Sequence, residues 1–219
     1  MEIFRSSFNV LKRRLEGSVQ FIQVITGPRQ VGKTTLARQL CEHFEHPFHF
    51  ASADKTTAAS SSWISQQWDI ARTFLQDNDT VLLVIDEIQK IDQWSEVVKS
   101  EWDQDRFEKH SIHLLILGSS RMQMQEGLTE SLTGRFEQTV LPHWSFNEMN
   151  EAFDLTLQQY IYFGGYPGSI LLLQDEARWK EYIQNAFIET TISKDILMLT
   201  QVRKPALLKG LFELVSSYS

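Results

Sequence analysis

The 219-residue chain contains one cysteine, Cys41. A single thiol excludes an internal disulfide and fits a reducing compartment, so a cytoplasmic setting is expected. Cys41 falls in helical spacing with Leu36, Ala37, Leu40 and Phe44, which predicts packing rather than reactivity. No apolar run reaches the ~18 residues that a membrane span needs, and no membrane partner is expected. Basic residues are not in excess: the net charge is −7, which argues against a surface that coats nucleic acid by charge alone. The charge is uneven, with seven Lys/Arg against only Glu2 and Glu16 in residues 1–40. His43 with His46, and His110 with His113, have no carboxylate or cysteine arranged with them, so solvated or capping histidines are expected rather than a metal site. The six tryptophans and fourteen phenylalanines are scattered without basic interleaving and read as core. No internal repeat is visible.

What is present is an alternation. The runs 20–27, 47–53, 80–86, 113–120 and 136–142 read as strands, and "TVLLVID" carries five apolar residues in a row, the pattern of a strand covered on both faces. Helical periodicity occupies 33–44, 63–76 (with Trp63, Gln67, Ile70 and Phe74 near one face) and 94–105. Phe4, Phe8, Leu11 and Leu15 recur at helical spacing beside Lys12, Arg13 and Arg14. They predict an amphipathic helix docked on the core, with a transit peptide as the alternative. Alternating strands and helices predict an α/β fold with a parallel sheet and helices on both faces. After 142 the strands stop and helices broken by Gly164, Gly165, Pro167 and Gly168 follow, so a domain change is expected near residue 145.

Gly27, Gly32, Lys33 and Thr34 in "GPRQVGKTT" satisfy G-x-x-x-x-G-K-[ST] between a strand and a helix. Glycines let the backbone curl until successive N–H groups point at a phosphate, and the helix N-terminus faces the same anion. The expected cradle is Gly27, Pro28, Arg29, Gln30, Val31, Gly32, Lys33, Thr34 and Thr35, with the Lys33 ammonium on the β and γ oxygens and the Thr34 hydroxyl on Mg²⁺. Asp86 and Glu87 end a buried strand, where an open α/β sheet binds ligand. Asp86 is placed to hold Mg²⁺ through water and Glu87 to polarise an attacking water; a plain strand-end acid pair is the alternative. Ser119 or Ser120 in "LGSSR" would hydrogen-bond that water or the γ-phosphate, or simply form a turn, and Arg121 is equally open.

Together with "SLTGRFEQTVLPHWSFNEM" and "YFGGYPGSI", these stretches resemble the prokaryotic AAA-like ATPases, in which a P-loop core is followed by a helical lid, a winged-helix segment and a further domain. The resemblance implies a sheet ordered 5-1-4-3-2, a core over 1–145, a lid over 146–204 and the start of a winged helix over 205–219. It implies ATP and Mg²⁺ as ligands, hydrolysis to ADP and phosphate, homo-oligomers, and a protein or nucleic-acid client. Catalytic roles fall on Lys33, Glu87 and Ser119, and Arg135 of "LTGR" becomes a candidate arginine that senses or completes an ATP site, in the same chain or across subunits; a surface or salt-bridged arginine is the alternative. Members of the family continue past the point where this chain ends, and Leu208, Leu211, Phe212 and Val215 leave an apolar stripe there, so truncation is expected. A small-molecule P-loop kinase and a nucleotide-regulated DNA-binding adaptor stay open. Glu87 directly after Asp86 favours water as nucleophile, and no N-K-x-D stretch is present to read guanine.

Overall fold

Five strands of this computed structural model run parallel: β1 (Ile22–Thr26), β2 (Phe48–Ser52), β3 (Val81–Asp86), β4 (Ile112–Gly118) and β5 (Phe136–Val140). Their order is β2-β3-β4-β1-β5, the expected 5-1-4-3-2 read from the other edge. Described are residues 3–55, 60–119 and 121–188, with 207, 210, 211, 214 and 215. Ser120, Leu208, Phe212 and most of the expected lid end and winged-helix start lie outside the described residues.

The central strands β3 and β4 are buried throughout and apolar at almost every position because helices cover both faces, whereas the edge strands β2 and β5 carry polar, partly exposed residues. On one face Leu82, Val84, Leu115 and Leu117 pack with Phe8, Leu11 and Leu15 of α1 (Phe8–Glu16) and Leu36 and Leu40 of α2 (Lys33–Glu42). On the other, Leu83, Ile85, Leu114 and Ile116 meet α3 (Ser61–Phe74), α4 (Trp94–Glu108) and α5 (Arg121–Glu130). The expected amphipathic N-terminal helix is therefore docked, and each of its buried apolar side chains contributes about 1.5–3 kcal/mol. Cys41 is buried in the first cluster, and burial, aided by the nearby Glu42 charge, pushes its thiol up to about 12.

α3 corrects an expectation. Its buried stripe is Ile64, Trp68 and Ala71, one position along from the expected Trp63, Gln67, Ile70 and Phe74; Ile70 is exposed, while Trp63 and Phe74 flank the core. The cause lies in α4: Asp105 accepts from the Trp68 indole N–H and from Arg72 Nε, which lets the large ring go fully inward.

The chain divides into two compact units, Met1–Leu155 and Thr156–Ser219. The first runs ten residues past the expected change at 145 and includes α6 (Phe146–Phe153). Ser145 caps α6 through a reciprocal hydrogen-bond pair with Glu148, and Met149 is fully buried. In the second unit, Thr156 caps α7 (Leu157–Phe163), and Tyr162 and Phe163 meet Trp179 of α8 (Glu176–Tyr182) at ring separations of 5.7 and 5.1 Å.

Arg5 ties three parts of the first unit together. Its buried guanidinium donates to Glu148 Oε1 (2.9 Å), the Val31 carbonyl (2.6 Å) and the Pro142 carbonyl (3.0 Å), and lies 4.9 Å from the Trp144 ring centroid. Burial alone would raise the Glu148 carboxyl. Hydrogen bonds from Ser145 and Arg5, with the Arg5 charge, overcome it and hold the pKa at about 2, against an ordinary 4.5. Orphaning one partner of a buried pair costs about 3–5 kcal/mol; Glu148 keeps its Ser145 donors, so Arg5→Met is expected at the low end, about 3 kcal/mol, by urea titration. A carboxyl depressed in the folded state contributes its stability fully above pH 4.5 and loses it as the pH falls toward 2. The parent should lose stability through that window, and Glu148→Gln should lose less; equal acid slopes would contradict the assignment.

Candidate functional site

The loop that leaves β1 is shaped by its neighbours. A Cβ on Gly27 would stand 2.1 Å from the Leu141 carbonyl oxygen, because Leu141 N–H bonds to Thr26 (2.7 Å) and brings the β5 exit against the loop. Gly32, at φ +92°, caps α2 in the left-handed region that favours glycine. Gln30 is also left-handed, at φ +60°, a strain that sequence reading did not show. Arg5 and the Trp144 indole (3.0 Å) both bind the Val31 carbonyl, so one loop peptide is clamped from two sides. Pro28, Gln30 and Thr35 are exposed, Arg29 is half-buried and Val31 is fully buried.

Lys33 opens α2 with only 6% of its surface exposed, and its ammonium donates to the carbonyls of Gly27 (2.9 Å) and Pro28 (2.6 Å). The N-terminal end of α2 and this ammonium stand at the same loop, an arrangement suited to a polyphosphate. One residue on, the Thr34 hydroxyl donates to Asp86 Oδ2 at 2.9 Å. Burial, opposed by the Thr34 hydrogen bond and reinforced by the neighbouring Glu87 charge, pushes the Asp86 carboxyl up. Its other oxygen, Oδ1, is buried without a hydrogen-bond partner among the described residues. A hydroxyl and a carboxylate with one orphaned buried oxygen are the hard-oxygen donors that Mg²⁺ takes, usually beside waters and phosphate oxygens. The residues present therefore fit that ion. Among the described residues no group of three or more His, Cys, Asp or Glu could form an all-protein metal cage.

Parallel register brings the remaining groups together. Asp86 is level with Leu117 on β4, so Glu87 and Ser119 leave neighbouring strands at the same edge. Ser119 Oγ donates to Glu87 Oε2 at 2.8 Å. Gln89 Nε2 donates to the same oxygen at 2.7 Å and lies 3.3 Å from Ser119 Oγ. Sequence reading missed Gln89; its only signal was its place in "DEIQKI". Also missed was a cavity of about 510 Å³ beside Thr34 and Asp86, walled by Arg38, Phe50, Asp54 and Trp63. Lys90 pairs with Asp54 at its rim.

Arg135 is not brought to this edge. Its carbonyl accepts from Ile22 N–H, so it stands at the start of β1 and β5, about 16 Å of strand from Gly27 at ~3.3 Å per residue. Its guanidinium makes two 2.9 Å hydrogen bonds to Asp103. The same-chain role expected for it at an ATP site is thereby corrected: a residue that precedes a strand of a parallel sheet lies at the end opposite to the residues that follow one.

An AAA-domain family model matches residues 20–150, and a domain of unknown function matches residues 154–219. No curated protein sequence gives a significant match. Among solved structures, AMPPCP-bound DnaA from Aquifex aeolicus is similar with TM-score 0.52 and 16% identity, over 87% of this chain and 67% of that one. A structure of katanin, described for its self-assembly, gives TM-score 0.50 and 16% identity, over 83% and 66%. RuvB from Thermotoga maritima, a Holliday junction branch migration motor, gives TM-score 0.44 and 22% identity over 66% of this chain; this chain spans 45% of it. At these identities the structural likenesses speak to fold alone. The family model covers more than half of the sequence and the sheet has the matching order, so the chain belongs to the AAA-like P-loop ATPases.

Proposed function

We propose that the chain binds Mg²⁺·ATP in the Gly27–Thr35 loop and hydrolyses it to ADP and phosphate, using the cycle to drive or gate a conformational change. The observation that carries the reading is the pairing of the Thr34 hydroxyl with Asp86 one residue away from a Glu87 held by Ser119. Lys33 neutralises the β- and γ-phosphate oxygens, exchanging its loop carbonyls for them. Thr34 and Asp86 would hold the metal, which when bound would compensate phosphate charge. Glu87 takes a proton from the attacking water as its oxygen bonds to the γ-phosphorus and the bond to the β–γ bridging oxygen breaks. Ser119 turns its hydroxyl toward the γ-phosphate. Phosphoryl transfer asks the protein mainly for position and charge compensation, which these five side chains supply.

A helical lid within 146–204, self-association, a protein or nucleic-acid client and a cytoplasmic setting belong to the same proposal. Among the described residues no helix is long and apolar enough to cross a membrane. The cavity beside Thr34 and Asp86 supports a second reading, phosphoryl transfer to a small acceptor seated between Arg38 and Asp54.

Release of free phosphate without an added acceptor separates the two readings. The parent should release it, and Glu87→Gln should bind ATP as tightly while turning over roughly 10²–10⁴-fold more slowly. Parent-like turnover in that variant removes Glu87 from the mechanism. Arg135→Ala should keep turnover within threefold of the parent, and loss of its surface pair with Asp103 should cost ~0–1 kcal/mol in thermal unfolding. A large fall in kcat, recovered by mixing with Lys33→Ala protein, would instead give Arg135 a role across subunits.

A further inference from the structure

Gln89 occupies a place that stability alone does not explain. It lies in the short 3₁₀ turn Ile88–Lys90 next to the left-handed Glu87, with Ile88 fully buried and Lys90 paired to Asp54. The turn sends its side chain back to the strand ends, where Nε2 meets both Glu87 Oε2 and Ser119 Oγ. The opposite orientation of the amide would set its oxygen against the Glu87 carboxylate. In the observed one, Gln89 Oε1 is buried without a hydrogen-bond partner among the described residues. It faces Gly118: a Cβ there would come within 3.0 Å of Oε1 and 2.5 Å of Met124 Sδ. The β4 glycine thus leaves a slot for the amide. A buried acceptor without a donor is destabilising, and methionine would fill a slot of this length with no orphaned atom. A destabilising polar group retained at a strand edge beside a base is the pattern of a stability–activity trade-off.

We propose that Gln89 is a positioning residue that holds the Glu87 carboxylate toward the nucleophilic water and keeps it held when Ser119 turns its hydroxyl to the γ-phosphate. Ser119 has one proton to donate and two acceptors in the reaction, Glu87 and the phosphate. The Gln89 amide supplies the donor that Glu87 would otherwise lose at the moment of transfer. This inference rests on the reading of Glu87 as general base.

The test compares steady-state phosphate release, ATP affinity and melting temperature for the parent, Glu87→Gln, Gln89→Met and Gln89→Glu. Gln89→Met should lower kcat about tenfold, leave KM and the ATP Kd within twofold, and melt no lower than the parent. Gln89→Glu replaces the donor by a like charge beside Glu87, so its kcat should fall at least as far as that of Gln89→Met while the ATP Kd stays within twofold. That variant also keeps the proposal testable if Gln89→Met folds poorly. A kcat within twofold of the parent in Gln89→Met, or in Gln89→Glu, overturns the role of Gln89 while an inactive Glu87→Gln leaves hydrolysis by Glu87 standing. Parent-like release by Glu87→Gln, or no release by the parent, overturns both.

Discussion

A parallel sheet gathers the carboxyl ends of all its strands on one edge, and this constraint governs the molecule. Thr26, Asp86 and Gly118 end β1, β3 and β4, and the pairing of Thr26 with Gly118 and of Asp86 with Leu117 sets them level. The segments leaving these strands therefore converge: the phosphate loop from β1, Glu87 from β3, Ser119 from β4. The groups that could handle a nucleotide come from three segments separated by more than fifty and then more than thirty positions. Their meeting depends on register, and register depends on the two apolar clusters that grip the sheet from both sides. A slip of one residue between β3 and β4 would reverse the faces of Leu82, Leu83, Val84 and Ile85 and separate Glu87 from Ser119 together.

The loop itself is held from behind. Arg5 and Trp144 both bind the Val31 carbonyl, Arg5 continues to Pro142 and Glu148, and Glu148 caps α6. The N-terminal segment, the phosphate loop and the helix after β5 are thus joined through one buried guanidinium. Such a brace holds the loop backbone in one conformation, which would lower the ordering cost for any ligand that binds there.

Much of this was legible in the sequence, for physical reasons. Five apolar residues in a row before Asp86 are required of a strand covered on both faces, and a glycine at 27 is required where a Cβ would strike Leu141. Other features depend on contacts that local pattern does not carry. The inward face of α3 is set by Asp105, 37 positions after Trp68. The place of Gln89 depends on Ser119, 30 positions away, and on a turn that folds it back on Glu87. Arg135 was misplaced for a different reason: its motif suggested an ATP site, while its position before a strand already put it at the far end of a parallel sheet.

The central claim is that Thr34 and Asp86 hold a divalent ion against the phosphates. Calorimetric titration of ATP with and without Mg²⁺, on the parent and on Asp86→Asn, tests it most directly. In the parent Mg²⁺ should tighten ATP binding by about tenfold or more, the order expected if Thr34 and Asp86 hold the ion together with the nucleotide. In Asp86→Asn that gain should largely vanish while metal-free ATP binds no more weakly than to the parent. An undiminished Mg²⁺ gain in Asp86→Asn would contradict the account.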